Sequence, residues 1–411
     1  MTLHYLTAGE SHGPALVAIL EGLPAGLPLA PEMINHDLAR RQHGYGAGPR
    51  MKLEQDTVQI LGGVMEGMTT GAPLALIIQN REHAKWRGQK VPPFTIPRPG
   101  HSDLTGAIKY GYHDLRPSLE RASARETAAR VAVGAACRHF LAQFDIQVGG
   151  YVTSIGQVTA DLKDVPLAER ITQAMDSEVS CPDVSASEEM NAAIRQAMQA
   201  RDTLGGVIEV VALGLPAGLG SHVHWERRLD ARLGAAVLSV QAIKGVEIGP
   251  AFENTRLPGT QVQDAIHLDG EKLVRFTNRC GGLEAGITTG QPLVIRAAMK
   301  PIATTLVPQA SVDLANGQPV ATQYERSDFC PVPRAVVVIE AMVGFVLADA
   351  LLEKLGGDSL AEMLPRFAAL RQASLTDLPM DNFEHLWWPD PPNCGGEHPN
   401  CEGDPLNCEG E

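Results

Sequence analysis

The sequence predicts an α+β fold: a β-α-β sandwich of two pseudo-duplicated halves, in which antiparallel sheets enclose central helices. The main observation is that three short segments occur twice, in the same order and about 200 residues apart. These pairs are residues 22–27 and 214–219, 62–74 and 281–293, and 120–123 and 325–328. Two copies at such a long spacing are not typical of a solenoid, so they indicate two related halves around a pseudo-twofold axis. The second observation is one long apolar helix per half, which needs deep burial between layers.

Each half is predicted to contain the same order of elements. In the first half, β-rich runs that end at turn residues predict strands, and a run that begins at a proline predicts a helix. These strands are at 15–21, 58–63 and 74–79, and the helix is at 31–42. The second half repeats them as strands at 207–213 and 292–299 and a helix at 229–242. The long apolar helices are predicted at 124–144 and 333–355. A polar insertion at 177–201, helical over 188–200, is expected on the surface.

The halves are expected to form a single domain over residues 1–375, with the repeats at about 1–150 and 205–356. Residues 376–411 form an acidic tail that is rich in proline and glycine, a composition typical of disorder. Three cysteines recur in this tail in an Asn-Cys-x-Gly pattern. Cys394 and His398 have a ligand-like spacing, but paired Cys-x-x-Cys motifs are absent from the sequence, so we expect no metal.

Charge and composition narrow the classes of partner. The formal charge of −14 argues against nucleic-acid binding. Arginine outnumbers lysine 25 to 9, which favours two-point binding of small anions, although surface ion pairs explain such arginines equally well. The N-terminus does not resemble a secretion signal. The most apolar run, 335–352, contains Glu340 and Asp349, which indicates a buried helix and not a membrane span. We therefore expect a cytoplasmic protein without membrane contact.

The start of the first long helix is a candidate anion site. Ser123 and Glu126 fit a capping box, and Arg121 and Arg125 add two cations where helix N–H groups lack partners. This combination suits a phosphate or a phosphorylated cofactor. An ordinary capped helix is the alternative, but Arg326 precedes the second long helix at the matching position. The two helix starts are therefore expected to open towards related places.

Two histidines lie in glycine-bounded turns and are candidates for proton transfer. His12 lies in Gly-Glu-Ser-His-Gly, and His101 follows Gly100 close to Arg98. Either histidine could instead be structural, and neither belongs to a metal-ligand or hydrolase pattern.

Two further segments are candidates for binding or catalysis. Asp328 replaces the first-half serine of the matching segment, beside Arg326, and is either a proton acceptor or an N-cap. The loop at 40–50, which includes Arg41, suits closure over an anion or a purely structural role.

Taken together, these segments resemble the chorismate synthase family from about residue 3 to residue 370. Five motifs carry the resemblance: Ala-Gly-Glu-Ser-His-Gly at 8–13, Arg-Arg-Gln-x-Gly-Tyr-Gly at 40–46, Arg-Pro-Gly-His-x-Asp at 98–103, Ser-Ala-Arg-Glu-Thr at 123–127, and Glu-Arg-Ser-Asp at 325–328. The resemblance implies a homotetramer that converts 5-enolpyruvylshikimate 3-phosphate to chorismate and phosphate by a 1,4-anti elimination. It also implies reduced FMN as cofactor, with NAD(P)H as an external reductant or a flavin reductase as partner in some members. A flavoprotein oxidoreductase and a non-catalytic phosphoanion-binding module are the alternatives.

The resemblance also implies roles for individual residues. His12 would protonate the leaving phosphate, His101 would supply a proton to the flavin, and Asp328 would accept a proton from it. The residues that match FMN-binding positions are Arg121, Ala122, Ser123, Gln241, Ala242, Ala285, Lys300, Pro301, Ile302, Ala303, Thr304 and Arg326. The residues that match nucleotide or substrate anion positions are Arg41, Ala47, Arg98 and Arg125.

At three of these positions the chain departs from the family pattern. Ala47 replaces an arginine, Ala122 replaces a serine, and Ala285 replaces a glycine. The loss of a hydroxyl hydrogen bond at Ala122 is worth about 1 kcal/mol. Because no proposed proton carrier is lost, we expect activity to survive.

Overall fold

Seventeen strands are present in the described part of the protein. The structure is a computed structural model that describes residues 2–46, 55–323, 325, 328–385 and 387. The strands are β1 (His4–Ala8), β2 (Ala15–Glu21), β3 (Val58–Gly62), β4 (Val64–Met65), β5 (Met68–Thr69), β6 (Leu74–Gln79), β7 (Gln147–Ile155), β8 (Val158–Thr159), β9 (Gly206–Leu213), β10 (Ile243–Ile248), β11 (Ile266–Asp269), β12 (Lys272–Arg275), β13 (Leu283–Glu284), β14 (Ile287–Thr288), β15 (Leu293–Met299), β16 (Ala310–Asp313) and β17 (Gln318–Ala321).

The helices lie mainly between and beside these strands. They are α1 (Pro31–Gln42), α2 (His83–Trp86), α3 (Asp103–Tyr110), α4 (Arg116–Arg121), α5 (Thr127–Ala142), α6 (Leu167–Met175), α7 (Val184–Ala200), α8 (Leu229–Leu238), α9 (Ala251–Asn254), α10 (Gly259–Val262), α11 (Val332–Leu355) and α12 (Leu360–Ala368).

Two antiparallel sheets confirm the predicted duplication. The first sheet has the order β1-β2-β6-β3, and the second has the order β10-β15-β9-β7-β8. When the second sheet is written from the other edge, β7, β9, β15 and β10 correspond to β1, β2, β6 and β3. The two halves therefore build the same four-stranded arrangement, with β8 as an addition to the second.

The repeated sequence segments form the same hydrogen bonds in both halves. The hydroxyl of Thr69 accepts from Leu27 N at 2.9 Å and donates to Pro24 O at 2.6 Å. In the second half, Thr288 accepts from Leu219 N at 2.8 Å and donates to Pro216 O at 2.7 Å. These threonines satisfy backbone groups that would otherwise be buried without partners, which explains why both copies keep them.

The long helices α5 and α11 form the middle layer of the sandwich. Helix α5 packs on β2 and β6 of the first sheet, and α11 packs on β7 and β9 of the second. The helices contact each other where Gly134 faces Ala341, so closely that a Cβ at Gly134 would overlap Ala341. Helix α11 is long and apolar enough to cross a membrane, but 94% of its most apolar window is buried inside the protein. It is the core helix that the sequence predicts.

A buried ion network fixes the middle layer at one end. Glu340 on α11 accepts from Arg40 on α1 at 2.6 and 2.8 Å and from Gly150 N on β7 at 2.8 Å. Arg138 on α5 contacts the same carboxylate at 3.0 Å and Asp37 at 2.6 Å. Because a buried charge without partners is costly, this network sets the mutual positions of α1, α5, α11 and β7.

The N-terminus is tied to the last long helix. Leu3 N donates to Asp349 of α11 at 2.6 Å, and Arg232 of α8 binds the same carboxylate. This explains the two acidic residues in the apolar run of α11, since Glu340 and Asp349 each accept hydrogen bonds at the edges of the core.

Two predictions about helices were wrong in detail. The helix predicted at 229–242 ends at Leu238, because the chain turns at Ala242, whose φ is 67°, and enters β10. The insertion helix α7 is longer than predicted, since Asp183 caps its start by accepting from Ala186 N at 3.1 Å. It also buries Met190 and Ile194 fully, so one face of α7 belongs to the core and not to the surface.

The contact between α5 and α11 leads to a stability test. Gly134→Ala places a methyl group against Ala341, and we expect it to lower the free energy of unfolding by about 1–3 kcal/mol. Gly234→Ala in α8 is the matched control, because its Cβ would meet nothing within 4 Å. The control should raise the free energy of unfolding by about 0.5–1 kcal/mol. Chemical denaturation measures both, and an unchanged stability of Gly134→Ala would contradict the close contact.

Candidate functional site

The turn that presents His12 connects β1 to β2. Gly9 adopts a φ of 108°, and a side chain there would overlap Ala15 O. The side-chain amide of Asn80 donates to Glu10 O at 3.1 Å and to Gly13 O at 2.8 Å. The turn is therefore held from inside the protein by Asn80, and the histidine that it carries has a fixed backbone.

The His12 side chain is held by a carboxylate. Its Nδ1 lies 2.7 Å from Glu120 Oε1, and its backbone N donates to Glu120 Oε2 at 2.7 Å. The side chains of His12 and Glu120 are 25% and 12% exposed, and the ring of Trp86 lies 4.9 Å from the imidazole. The arrangement leaves the second ring nitrogen, Nε2, as the atom available for proton exchange.

His101 lies in a similar arrangement before α3. Its Nδ1 is 2.6 Å from Oδ1 of the buried Asp103, which Arg98 also binds through Nε at 2.8 Å and Nη2 at 2.9 Å. Although burial acts to raise the pKa of Asp103, hydrogen bonds from His101 and Arg98 and the charge of Arg98 lower it well below its usual range. Asp103 is therefore ionised at neutral pH and orients both neighbouring side chains.

Residues 300–304 bring the second half against His101. Lys300 Nζ donates to Gly100 O at 3.0 Å, and Arg98 Nη1 donates to Thr304 Oγ1 at 3.3 Å. Lys300 N donates to Ala242 O at 2.9 Å. The predicted cofactor-binding residues Gln241, Ala242, Lys300, Pro301, Ile302, Ala303 and Thr304 thus lie in neighbouring segments beside His101.

A polar cavity lies where Gln241 meets the first half. It has a volume of about 410 Å³ and is lined by Tyr5, Leu6, Thr7, Arg121, Glu126, Arg130 and Gln241. Arg121 Nη2 donates to Thr7 O at 2.9 Å, and Gln241 Nε2 donates to Glu126 Oε2 at 3.2 Å. Gln241 Oε1 is buried and has no hydrogen-bond partner among the described residues. An unpaired acceptor beside cations suits a ligand that has both N–H donors and a phosphate.

Of the two hydrogen bonds that define the predicted capping box, the one from Glu126 back to Ser123 N is not formed. Ser123 Oγ accepts from Arg125 N at 3.3 Å and starts a short 3₁₀ turn, Ala124–Glu126, before α5. Glu126 does not reach back to Ser123 N; its carboxylate binds Thr7, Arg130 and Gln241 instead. Ser123 Oγ also donates to Ser11 Oγ at 3.3 Å, which connects the His12 turn to the Arg121-Ala122-Ser123 segment.

Two predicted anion-binding arginines are buried in an ion cluster. Arg125 Nη1 donates to both oxygens of Asp56 at 2.7 Å, and its Nε donates to Asn80 at 2.9 Å. Arg41 binds Thr127, Ala124 O and Asp56. Sequence reasoning missed Asp56, which lies far from both arginines along the chain. Their described contacts make them supports of the start of α5.

The starts of the two long helices meet, as the pseudo-twofold arrangement predicts. Arg334, in the first turn of α11, donates to Arg41 O at 2.9 Å and binds the carboxylate of Asp328. Asp328 therefore lies at the start of α11, beside the cluster that holds the start of α5. The predicted site residues Ala47 and Arg326 lie outside the described residues.

Ala285 lies in another cavity. This cavity, of about 800 Å³, is lined by the β13–β14 hairpin, β12 and residues 369–373; as far as the described residues go, its lining includes none of the other predicted cofactor-binding residues. Ala285 and Gly286 have φ values of 50° and 80°, and Glu66 and Gly67 in the first half have 50° and 78°. Both central residues of a two-residue hairpin turn of this type adopt left-handed conformations. Glycine adopts this conformation without strain, and this is the conformational reason for the glycine expected at 285.

Sequence reasoning did not assign a role to Glu120 or Asp103, although each contacts a predicted site residue, and it gave Glu126 only a role in helix capping. Glu120 was visible as the residue before Arg121, and Asp103 as the last residue of the Arg-Pro-Gly-His-x-Asp motif. No group of three or more histidine, cysteine or acidic side chains in the described parts of the chain is placed to hold a metal ion.

The fold and site define a two-sheet α+β enzyme scaffold with two histidine–carboxylate pairs and a polar cavity that includes Arg121 and Arg130, and comparisons with known proteins identify the family. The family model for chorismate synthase matches residues 3–352. Chorismate synthase of Trichlorobacter lovleyi is 52% identical over 379 residues, covering 88% of this chain and 96% of that protein. The Aquifex aeolicus protein is 52% identical over 383 residues, covering 89% and 96%. A crystal structure of chorismate synthase superposes with a TM-score of 0.75 at 46% identity, covering 90% and 97%. The chain belongs to the chorismate synthase family.

The shared carboxylate of Asp103 leads to a pH-dependent stability difference. Asp103→Asn removes the charge that Arg98 and His101 share, and we expect it to cost about 3 kcal/mol of unfolding free energy at neutral pH. Because the pKa of Asp103 is lowered by folding, its contribution is complete above the unfolded carboxyl pKa of about 4 and declines as the pH falls towards the folded value. The gap in the free energy of unfolding between wild type and Asp103→Asn, measured in urea titrations, should narrow as the pH falls from 5 to 3. A gap that widens over this range would contradict the assignment.

The backbone of Ala285 leads to a second stability test. Ala285→Gly removes the cost of a left-handed alanine, about 1–2 kcal/mol, and adds the entropy cost of glycine, about 0.5–1 kcal/mol. We expect a net stabilisation of up to about 1 kcal/mol in thermal unfolding. Ala231→Gly in α8, at an ordinary helical position, should lower stability by about 1 kcal/mol. Equal destabilisation of both variants would rule out the strain at Ala285.

Proposed function

We propose that this protein converts 5-enolpyruvylshikimate 3-phosphate to chorismate and phosphate, the chorismate-forming step of the shikimate pathway, as a cytoplasmic lyase. Its membership of the chorismate synthase family supports this reaction. The observation in the structure that carries the proposal is the pair of histidines, His12 and His101, each with Nδ1 against a carboxylate. Arg121 contacts the turn of His12, and Lys300 contacts that of His101.

The chain's own residues suit the cofactor that the family implies, reduced FMN. Arg121 in the cavity would supply positive charge for its phosphate, and the unpaired Gln241 Oε1 is an acceptor for an N–H group. Lys300 lies outside the lining of this cavity, beside Gly100, and would add positive charge there. The chemistry that reduced FMN would supply there is the transient donation of electron density to the allylic centre. The position of Ala285 in another cavity gives no support to its predicted contact with the cofactor.

Proton transfers are assigned to three residues. His12, held at Nδ1 by Glu120, donates the Nε2 proton of its doubly protonated ring to the leaving phosphate and is left as the neutral Nδ1–H form. His101, held at Nδ1 by Asp103, exchanges a proton at Nε2 on the cofactor side. Asp328, ion-paired with Arg334, would accept the proton that leaves on the cofactor side.

The remaining arginines are proposed to act in two ways, by contact with the substrate or by support of a helix start. Arg98 borders His101 and Thr304 and is the arginine best placed to contact a substrate anion. Arg41 and Arg125 act by holding the start of α5 through Asp56.

We further propose a homotetramer and an external source of reducing equivalents. The outer face of the first sheet exposes Leu6, Ile19 and Leu61, which is consistent with a covered face in an assembly. NAD(P)H or a flavin reductase would keep the cofactor reduced.

The direct test is turnover under anaerobic conditions. Purified protein supplied with reduced FMN and 5-enolpyruvylshikimate 3-phosphate should release phosphate and chorismate without net consumption of NAD(P)H. His12→Ala should lower turnover by about 10²–10⁴-fold, the usual contribution of a general acid. Absence of phosphate release from wild-type protein with verified FMN binding would refute the lyase. Stoichiometric NAD(P)H oxidation with product would indicate an oxidoreductase instead.

A further inference from the structure

We propose that Glu120 is a positioning residue that keeps a proton on Nδ1 of His12, so that Nε2 is the atom that exchanges protons with the substrate. This inference rests on the proposed function for its catalytic consequence. Its structural part, the protonation state of one ring nitrogen, can be measured without any turnover.

The first argument is the number of contacts that Glu120 makes with the His12 turn. Oε1 lies 2.7 Å from the ring nitrogen, and Oε2 accepts from His12 N at 2.7 Å. The backbone carbonyl of Glu120 also accepts from Ser11 N at 3.3 Å. One residue at the end of α4 therefore fixes both the backbone and the ring of His12, which a simple surface ion pair does not do.

The second argument is that an ionised carboxylate can only accept hydrogen bonds. Although burial acts to raise the pKa of Glu120, hydrogen bonds and charge from His12 and the charge of Arg116 lower it. Glu120 is therefore ionised at neutral pH. A nitrogen 2.7 Å from an ionised carboxylate carries a proton, because two lone pairs would otherwise face each other.

The third argument is that the ring has little freedom to turn away. The indole of Trp86 lies against it with a centroid separation of 4.9 Å and an interplanar angle of 56°. The carbonyl of His12 lies 3.1 Å from Nδ1 of His83, which restrains the peptide on the far side of the ring. The orientation set by Glu120 is consequently the one that a ligand meets.

The fourth argument is that the second histidine has the same arrangement. Nδ1 of His101 lies 2.6 Å from Asp103, an acidic residue at the start of the helix that follows it. Nη2 of Arg98, which can only donate, lies 3.1 Å from the same nitrogen of His101, so the position of the ring proton is less strictly set there than in His12. The feature that the two histidines share is a carboxylate against Nδ1.

Glu120→Gln provides the decisive change. The carboxylate uses one oxygen for His12 N and the other for Nδ1–H, each at 2.7 Å, whereas the amide has an oxygen at only one of these two positions and an NH₂ group at the other. If its oxygen stays with the backbone N–H, its NH₂ group donates to Nδ1 and moves the ring proton to Nε2. We therefore expect the neutral His12 ring to change from the Nδ1–H to the Nε2–H tautomer.

The measurement is ¹⁵N NMR of protein labelled at histidine, with the His12 signals assigned by their loss in His12→Ala. Glu362→Gln is the matched control, since Glu362 also accepts from a backbone N–H, Asp358 N at 2.9 Å, but lies far from the site on α12. It should leave the His12 signals unchanged. Glu120→Asp keeps the charge and serves as the second variant if the amide variant does not fold.

Turnover adds the functional readout. Glu120→Gln should lower kcat by at least about tenfold, less than the loss in His12→Ala, because general acid catalysis is typically worth 10²–10⁴. KM should change little, and Glu120→Asp should recover part of the activity. An Nε2–H tautomer in the wild type, or a spectrum unchanged by Glu120→Gln, would overturn the proposal. A changed tautomer with unchanged kcat would overturn its catalytic part. A wild type without lyase activity would refute the proposed function while leaving the tautomer result to stand.

Discussion

The close contact between α5 and α11 determines where everything else in the molecule lies. Gly134 allows the two helices to approach at Ala341, and the carboxylate of Glu340 collects Arg40, Arg138 and a strand N–H at the same layer. Each sheet then packs on its own helix. Because the middle layer is rigid, the two halves have a defined separation, and the segments that connect sheet to helix meet at a fixed seam.

The proposed site uses that seam. The His12 turn and the Arg121–Ser123 segment come from the first half, whereas Gln241, Ala242 and residues 300–304 come from the second. The two halves differ where the chemistry is placed: the first half carries His12 and His101, and Asp328 of the second half stands where the first half has Ser123. A duplicated scaffold with unequal side chains at its seam can therefore supply acids from one half and a base from the other.

Much of the fold could be predicted from the sequence because its signals are local. The helix at 31–42 begins at a proline, and the strands at 15–21 and 74–79 end at turn residues; the structure confirms all three boundaries. The end of α8 could not be predicted, because the left-handed backbone at Ala242 depends on packing against residue 300. The partners of the site residues were missed for a related reason. Glu120 with His12, and Asp56 with Arg125, pair across long stretches of chain, and such pairs exist only once the sheets and helices are assembled.

The hydrogen bond from Leu3 N to Asp349 joins the first strand to the last long helix, 346 residues apart. During synthesis on the ribosome, the first sheet is complete at Gln79, but α11 is not available until Leu355 has been added. At typical elongation rates this interval is on the order of tens of seconds. Helix α5 is complete at Ala142 and can cover β2 and β6, but the side of α5 that packs against α11 in the folded protein lacks this partner until α11 is added. The contact between α5 and α11 is therefore among the last parts of the core that can form during synthesis.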